Sequence, residues 1–62
     1  MLHILDNTLT NKTNLTMLID GDESRKFETI DQALNFYYRA FNVSNNEVLV
    51  YSGTNLVMSN QA

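Results

Sequence analysis

The chain has 62 residues, with no cysteine, one histidine, and seven acidic against four basic side chains, which gives a formal net charge of −3. This length allows one domain, which we place at residues 1–62. The lack of cysteine excludes disulfides, iron–sulfur clusters and thiolate zinc sites, and the excess of acid disfavours non-specific binding to nucleic-acid phosphates.

Residues 1–14 are the least clearly specified segment. Residues 2–5 (Leu-His-Ile-Leu) fit a short strand, and residues 7–14 form a polar stretch suited to a turn or loop. The apolar residues at the start are too few for a signal peptide, and Asp6 interrupts them. No apolar run approaches the roughly 20 residues that a membrane span needs. We therefore expect a cytoplasmic protein with no membrane partner.

Residues 15–28 predict a hairpin. Leu15, Met17 and Ile19 alternate with other residues and would share one face of a strand. Residues 20–24 (Asp-Gly-Asp-Glu-Ser) have the composition of a turn. Residues 25–28 would return as an edge strand, because Phe27 is their only large apolar residue. The charged side chains there would discourage another chain from adding to that edge.

The segment from Phe27 to Asn42 specifies its own structure most clearly, as an amphipathic helix. Thr29 followed by Gln32 three residues later is a capping box, and Asp31 suits the positive end of the helix. At about 100° per residue, one apolar stripe contains Ile30, Ala33, Leu34, Tyr37, Tyr38 and Phe41. Residues 42–46 are rich in asparagine and are predicted to end the helix.

Phe36 and Tyr38 lie at the margins of this stripe. Aromatic side chains at such margins are typical both of peripheral core and of interfaces. The two interpretations are equally good for Phe36 and for Tyr38, and we expect both residues to contact a partner.

Residues 47–58 predict a second hairpin, with Gly53-Thr54 as a two-residue turn. This turn would pair Tyr51 with Leu56 and Leu49 with Met58 on one face of the sheet. It would pair Val50 with Val57 and Val48 with Ser59 on the other. Both faces would be apolar, and a single helix covers only one of them. We expect Val48, Val50 and Val57 to contact a partner, and residues 59–62 to form a frayed tail.

The predicted fold is therefore α+β. An antiparallel sheet of about four strands in ββαββ order carries one helix on one face, with an extra N-terminal strand as an option. A domain of about 60 residues buries only about 60% of its unfolded surface. Without disulfides or a metal, self-association or a partner protein is the remaining reinforcement.

No reaction chemistry is indicated by the side chains. Asp20, Asp22 and Glu23 begin like a calcium loop, but neither the further ligands nor the closing glutamate follows. His3 has no activated nucleophile beside it in the sequence. We expect no enzymatic activity, no metal site and no cofactor.

The favoured function is that of a non-catalytic module that binds another protein or a second copy of itself. A small acidic chain suits an inhibitor or regulator of the phage or mobile-element type, which occludes a host enzyme. In that model Asp20, Asp22 and Glu23 contact the partner. The carboxylates that mimic nucleic-acid phosphates are those of Asp20, Asp22, Glu23, Glu28, Asp31 and Glu47. The alternatives are a structural subunit of a larger assembly and a small metal-dependent module that uses the acidic loop.

Overall fold

The computed structural model of the protein describes residues 1–5, 14–40 and 43–61. Its elements in chain order are β1 (His3–Ile4), β2 (Leu15–Ile19), β3 (Asp22–Phe27), α1 (Ile30–Arg39), a 3-10 helix (Val43–Asn45), β4 (Val48–Ser52) and β5 (Asn55–Ser59). The predicted α+β class, with an antiparallel sheet and one helix in the described part of the chain, is confirmed. The predicted loop at residues 7–14, apart from Asn14 itself, and the predicted place of Phe41 in the apolar stripe concern residues outside the described ranges.

The five strands lie in the spatial order β1-β5-β4-β2-β3, and every neighbouring pair is antiparallel. β4 is the central strand, with β5 and β2 on either side of it, and β1 and β3 form the edges of the sheet. Edge position was predicted for the strand that contains Phe27, and the structure places β3 there. α1 contacts β2 and β3 and leads the chain from this edge back to the central β4. Among the described residues, no helix is long and apolar enough to cross a bilayer.

The first hairpin turns earlier than predicted. Ile19 pairs with Asp22, so Asp20 and Gly21 alone reverse the chain. Their φ angles are 54° and 86°, the two positive values of a type I′ turn, which matches the twist of the flanking strands. Asp22 and Glu23 therefore belong to β3, and the prediction of a five-residue turn is wrong. A β-bulge follows, because Met17 pairs with Arg25 and Leu18 with Glu23, which leaves Ser24 as the extra residue.

The second hairpin has the predicted turn but a different register. Ser52 pairs with Asn55 and Tyr51 with Leu56, as expected for a turn at residues 53–54. Gly53 has φ 64°, whereas Thr54 has no positive φ, which is the pattern of a turn with glycine in its first position.

Beyond that turn a second bulge shifts the pairing. Val50 pairs with Met58 and Leu49 with Ser59, so the predicted pairs Leu49–Met58, Val50–Val57 and Val48–Ser59 are wrong. The bulge moves Met58 to the side of Val50, and Val57 and Met58 are both fully buried. The regular register would have placed these two side chains on opposite faces, so the bulge allows both of them to be removed from water.

α1 begins as predicted. Thr29 is the N-cap, and its hydroxyl oxygen accepts a hydrogen bond from the Gln32 backbone N–H at 3.3 Å. The Gln32 side chain accepts in return from the N–H of Glu28 at 2.9 Å, one residue before the usual capping-box donor. The helix ends at Arg39, earlier than predicted, because Ala40 adopts an extended conformation (φ −73°, ψ 136°).

The core lies between α1 and one face of the sheet, which we call the inner face. Ala33 and Tyr37 are the buried residues of the helix. The buried residues of the sheet and of the segments beside it are Leu2, Leu15, Met17, Val43, Val48, Val50, Val57 and Met58. Ile30, Leu34 and Phe36 pack against this cluster from the helix and are partly buried.

The C-terminal segment is ordered rather than frayed. Ser59 is a residue of β5 and is buried. The side-chain oxygen of Asn60 accepts from the Val48 N–H at 2.8 Å, and its side-chain nitrogen donates to the Asn46 carbonyl at 2.7 Å. These bonds join the end of β5 to the start of β4, so the prediction of a frayed tail is wrong for residues 59–61.

Candidate protein-binding surfaces

Three predicted partner contacts lie in the protein's own core. Val48, Val50 and Val57 are each 0% exposed and belong to the buried cluster under α1. The helix covers the face that carries Val48 and Val50, and the bulge in β5 buries Val57 as well. No partner can reach these side chains in the folded protein, so their assignment to a binding surface is wrong.

The opposite side of the sheet, which we call the outer face, is apolar at its centre. Leu18 pairs with Leu49 across β2 and β4, and Tyr51 pairs with Leu56 across β4 and β5. Leu56 is 39% exposed, and the other three side chains are half-buried. Because α1 packs on the inner face, no described helix covers these four residues.

The border of the outer face is polar. Thr16 pairs with Tyr51 on one side and with Lys26 on the other, and Glu23 pairs with Leu18. The Lys26 ammonium lies 3.9 Å from the Glu23 carboxylate, and both side chains are well exposed. An apolar centre with a charged border is the usual anatomy of a protein–protein interface.

Phe36 bridges the core and the surface. It is half-buried, and its ring centroid lies 5.5 Å from that of Phe27. The guanidinium carbon of Arg25 lies 4.9 Å from the centroid of the Phe36 ring, which is a cation–π contact. Phe36 is thus largely committed to contacts inside the chain, and its role toward a partner stays a prediction.

Tyr38 is the most exposed aromatic side chain of α1, with 60% of its surface accessible. Its ring stands edge-on to Tyr37 with centroids 4.9 Å apart, and its hydroxyl accepts from the Leu2 N–H at 3.4 Å. The exposed ring of Tyr38 is accessible to a partner even though its hydroxyl is hydrogen-bonded, so Tyr38 stays a predicted contact.

A shallow groove of about 380 Å³ separates α1 from β3. Its lining consists of Arg25, Phe27, Asn35, Phe36, Arg39 and Ala40. No described carboxylate lines it, although the chain as a whole is acidic. A larger hollow of about 480 Å³ at the end of β2 has Lys26 and Glu28 in its wall, so its charges are mixed.

The acidic residues near the first turn do not form one site. The Asp20 carboxylate accepts a hydrogen bond from the Glu47 N–H at 3.0 Å, and the Asp20 N–H donates to the Glu47 carbonyl at 2.8 Å. Asp22 pairs with Ile19 on the inner side, whereas Glu23 pairs with Leu18 on the outer side. Within the described ranges, no group of three or more histidine or acidic residues could hold a metal ion.

His3 lies in β1 opposite Ser59 and is half-buried. Because Ser59 also pairs with Leu49, His3 stands at the far end of a row across the outer face. Sequence reasoning missed Leu18 as a surface residue. The signal that could have found it is its alternation with Leu15, Met17 and Ile19, which places it on the side opposite the helix.

Comparison with known proteins gives no relative: no protein-family model matches the chain, and no curated protein and no solved structure matches it significantly.

Proposed function

We propose that this protein is a non-catalytic protein-binding module and that its outer face docks on an apolar surface of a partner protein. The observation that carries this proposal is the group of Leu18, Leu49, Tyr51 and Leu56 on the side of the sheet opposite α1. A contiguous apolar patch on the surface of a soluble protein commonly marks an interaction site.

The size of the outer face favours a modest affinity. Four strands of five or six residues and one of two residues, about 4.8 Å apart, span roughly 360 Å² in projection. A standard interface buries about 800 Å² per partner. The outer face therefore supplies the centre of an interface, and the charged border and Tyr38 would supply the remainder.

We infer a regulatory role by occlusion, as in small inhibitors of the phage or mobile-element type. A 7.1 kDa chain that covers part of an enzyme can block a substrate path without any chemistry of its own. Phosphate mimicry is a weaker form of this model. The Asp20 carboxylate is occupied by its hydrogen bond from the Glu47 backbone N–H, and Asp22 and Glu23 lie on opposite sides of the sheet.

Site-specific photo-crosslinking in the source cells tests this proposal. A photoreactive phenylalanine analogue is placed at Tyr51 or at Leu56, with the exposed Ser44 as the matched control position. We expect one partner protein to be linked from the two outer-face positions and not from Ser44. The captured protein is then purified and titrated with the unmodified chain.

The Leu56→Lys variant should weaken that complex at least tenfold, because it puts a charge at the centre of the interface. Ser44→Lys adds the same charge elsewhere and should bind normally. Equal crosslinking from all three positions, or equal binding of both lysine variants, would contradict the proposed surface. If the partner is an enzyme, its activity with and without the chain decides between an inhibitor and a structural subunit.

A further inference from the structure

The groove between α1 and β3 lies on the helix side of the sheet and has one wall from each element. Its lining residues are Arg25 and Phe27 of β3 and Asn35, Phe36, Arg39 and Ala40 at the end of α1. Arg25 pairs with the buried Met17 and Phe27 with the buried Leu15, so both residues stand on the inner side of the sheet. The charged and amide side chains of the lining are exposed, so the groove is open to solvent.

The floor of the groove is aromatic. The ring centroids of Phe27 and Phe36 lie 5.5 Å apart with 48° between the ring planes, and both residues are half-buried. The guanidinium of Arg25 lies over the Phe36 ring. A guanidinium in this position uses its face for the ring and keeps its N–H groups, which lie in its plane, for a carboxylate. The floor therefore positions one cation and offers an apolar surface beside it.

Both cations of the groove lack an acidic partner within the described part of the chain. Arg25 and Arg39 make no ion pair with a described carboxylate, and no such carboxylate lines the groove. Arg39 follows Phe36 by three residues and lies one turn further along the same side of α1. Arg39 also suits the negative end of the helix, but no helix end accounts for Arg25. Two guanidinium groups thus border one aromatic floor in a chain whose net charge is −3.

The lining favours one kind of occupant by charge and by size. Two guanidinium groups complement carboxylates, and two rings complement an apolar side chain. The volume of about 380 Å³ is near the lower end of the roughly 300–1,000 Å³ typical of ligand sites, which suits a few side chains of an extended segment. A nucleic acid fits less well, because its closely spaced phosphates meet the net negative charge of the chain.

We propose that this groove binds a short acidic segment of a partner protein, in which an apolar residue lies between carboxylates. The carboxylates pair with Arg25 and Arg39, and the apolar side chain packs on the rings of the floor. The contact uses side chains of β3 and not its backbone edge, so no further strand is added to the sheet. The groove lies on the side opposite to the outer face, so the inference goes beyond the proposed function and does not depend on it.

NMR titration of the isotope-labelled protein with blocked peptides tests the proposal. The probes are the pentapeptides Glu-Glu-Leu-Glu-Glu and Glu-Glu-Phe-Glu-Glu, their counterparts with glutamine in place of glutamate, and an oligonucleotide of five thymidines. We expect the acidic peptides to shift the amide signals of residues 35–40, with a dissociation constant on the order of 0.1–1 mM, as for small interfaces. The glutamine peptides should bind about tenfold more weakly or worse, and added salt should weaken the acidic peptides.

Three glutamine variants of the protein locate the binding. Arg25→Gln and Arg39→Gln should each weaken the acidic peptides about fivefold or more, because each removes a charge-assisted contact. Lys26→Gln is the matched control, since it removes the same charge from the residue next to Arg25. Lys26 pairs with Thr16 and stands on the outer side, so this variant should bind within about twofold of the natural chain. All three substituted side chains are exposed, and amide spectra confirm that each variant is folded.

Any of four results would overturn the inference. The first is the absence of shifts at residues 35–40 with both acidic peptides at millimolar concentration. The second is an equal loss of binding in Lys26→Gln, which would assign the attraction to overall charge. The third and fourth are equal binding of the glutamine peptides and tighter binding of the oligonucleotide. The Leu56→Lys variant should bind the acidic peptides normally, so a failure here is distinct from a failure of the crosslinking experiment.

Discussion

Asn60 illustrates how one polar side chain holds several elements together. Its backbone N–H donates to the Val48 carbonyl at 3.1 Å, and its side chain accepts from the Val48 N–H. The side-chain nitrogen reaches the Asn46 carbonyl and, at 3.4 Å, the Tyr37 hydroxyl. The end of β5, the start of β4, the 3-10 helix and α1 thus meet at one amide, which provides both the donor and the acceptor that the site needs.

Asn60→Ala should lower the free energy of unfolding by about 1–3 kcal/mol, because it leaves the Val48 N–H and the Asn46 carbonyl without this partner. Urea denaturation followed by circular dichroism measures the change. Ser44→Ala, on the exposed side of the 3-10 helix, is the control and should stay within about 0.5 kcal/mol of the natural chain. Equal stability of Asn60→Ala and the natural chain would show that water replaces the amide.

Among the elements, the two hairpins depend on turns that need positive φ. Gly21 has φ 86°, and a side-chain carbon built there would meet no atom within 4 Å. A substitution at Gly21 is therefore disfavoured by backbone conformation and not by a clash. The same turn also fixes the position of Asp20, whose carboxylate caps the N–H of Glu47.

Gly21→Ala should destabilise the protein by about 1–2 kcal/mol, the cost of a left-handed conformation for an L-residue. Thermal unfolding of synthetic chains measures this loss. D-alanine at the same position is the matched control, since it favours positive φ and should preserve or raise the melting temperature. Equal losses for L- and D-alanine would mean that contacts of the turn, and not its φ angle, determine stability.

At the scale of the whole molecule, the sheet has two faces and α1 covers only one of them. The inner face and α1 bury the valines, Met17 and Met58, while Leu18, Leu49, Tyr51 and Leu56 stay partly accessible. A chain this short has no second layer among its described residues to place there. Association through the outer face would add burial that a small single domain lacks.

The apparent melting temperature should accordingly rise with protein concentration, by several degrees between about 10 µM and 1 mM, because only folded chains associate. Differential scanning calorimetry at several concentrations measures this slope. The Leu56→Lys variant should show a flatter dependence, because it places a charge in the centre of the outer face. An unchanged slope in that variant would assign the gain to another surface.

The sequence by itself determined the features that depend on near neighbours. The alternation at residues 15–19, the cap at Thr29 with Gln32, and the turn at residues 53–54 all appear in the structure as predicted. Each is set by backbone conformation and hydrogen bonds within a few residues, so the local sequence is sufficient evidence for it.

Only the tertiary structure decided which apolar residues are covered. Val48, Val50 and Val57 resemble Leu49, Tyr51 and Leu56 in apolar character, yet the first group lies under α1 and the second does not. The bulges at Ser24 and Val57 and the neighbours of each strand are chosen by burial summed over the whole core, which no short window of sequence contains. The surfaces available to a partner follow from that global choice.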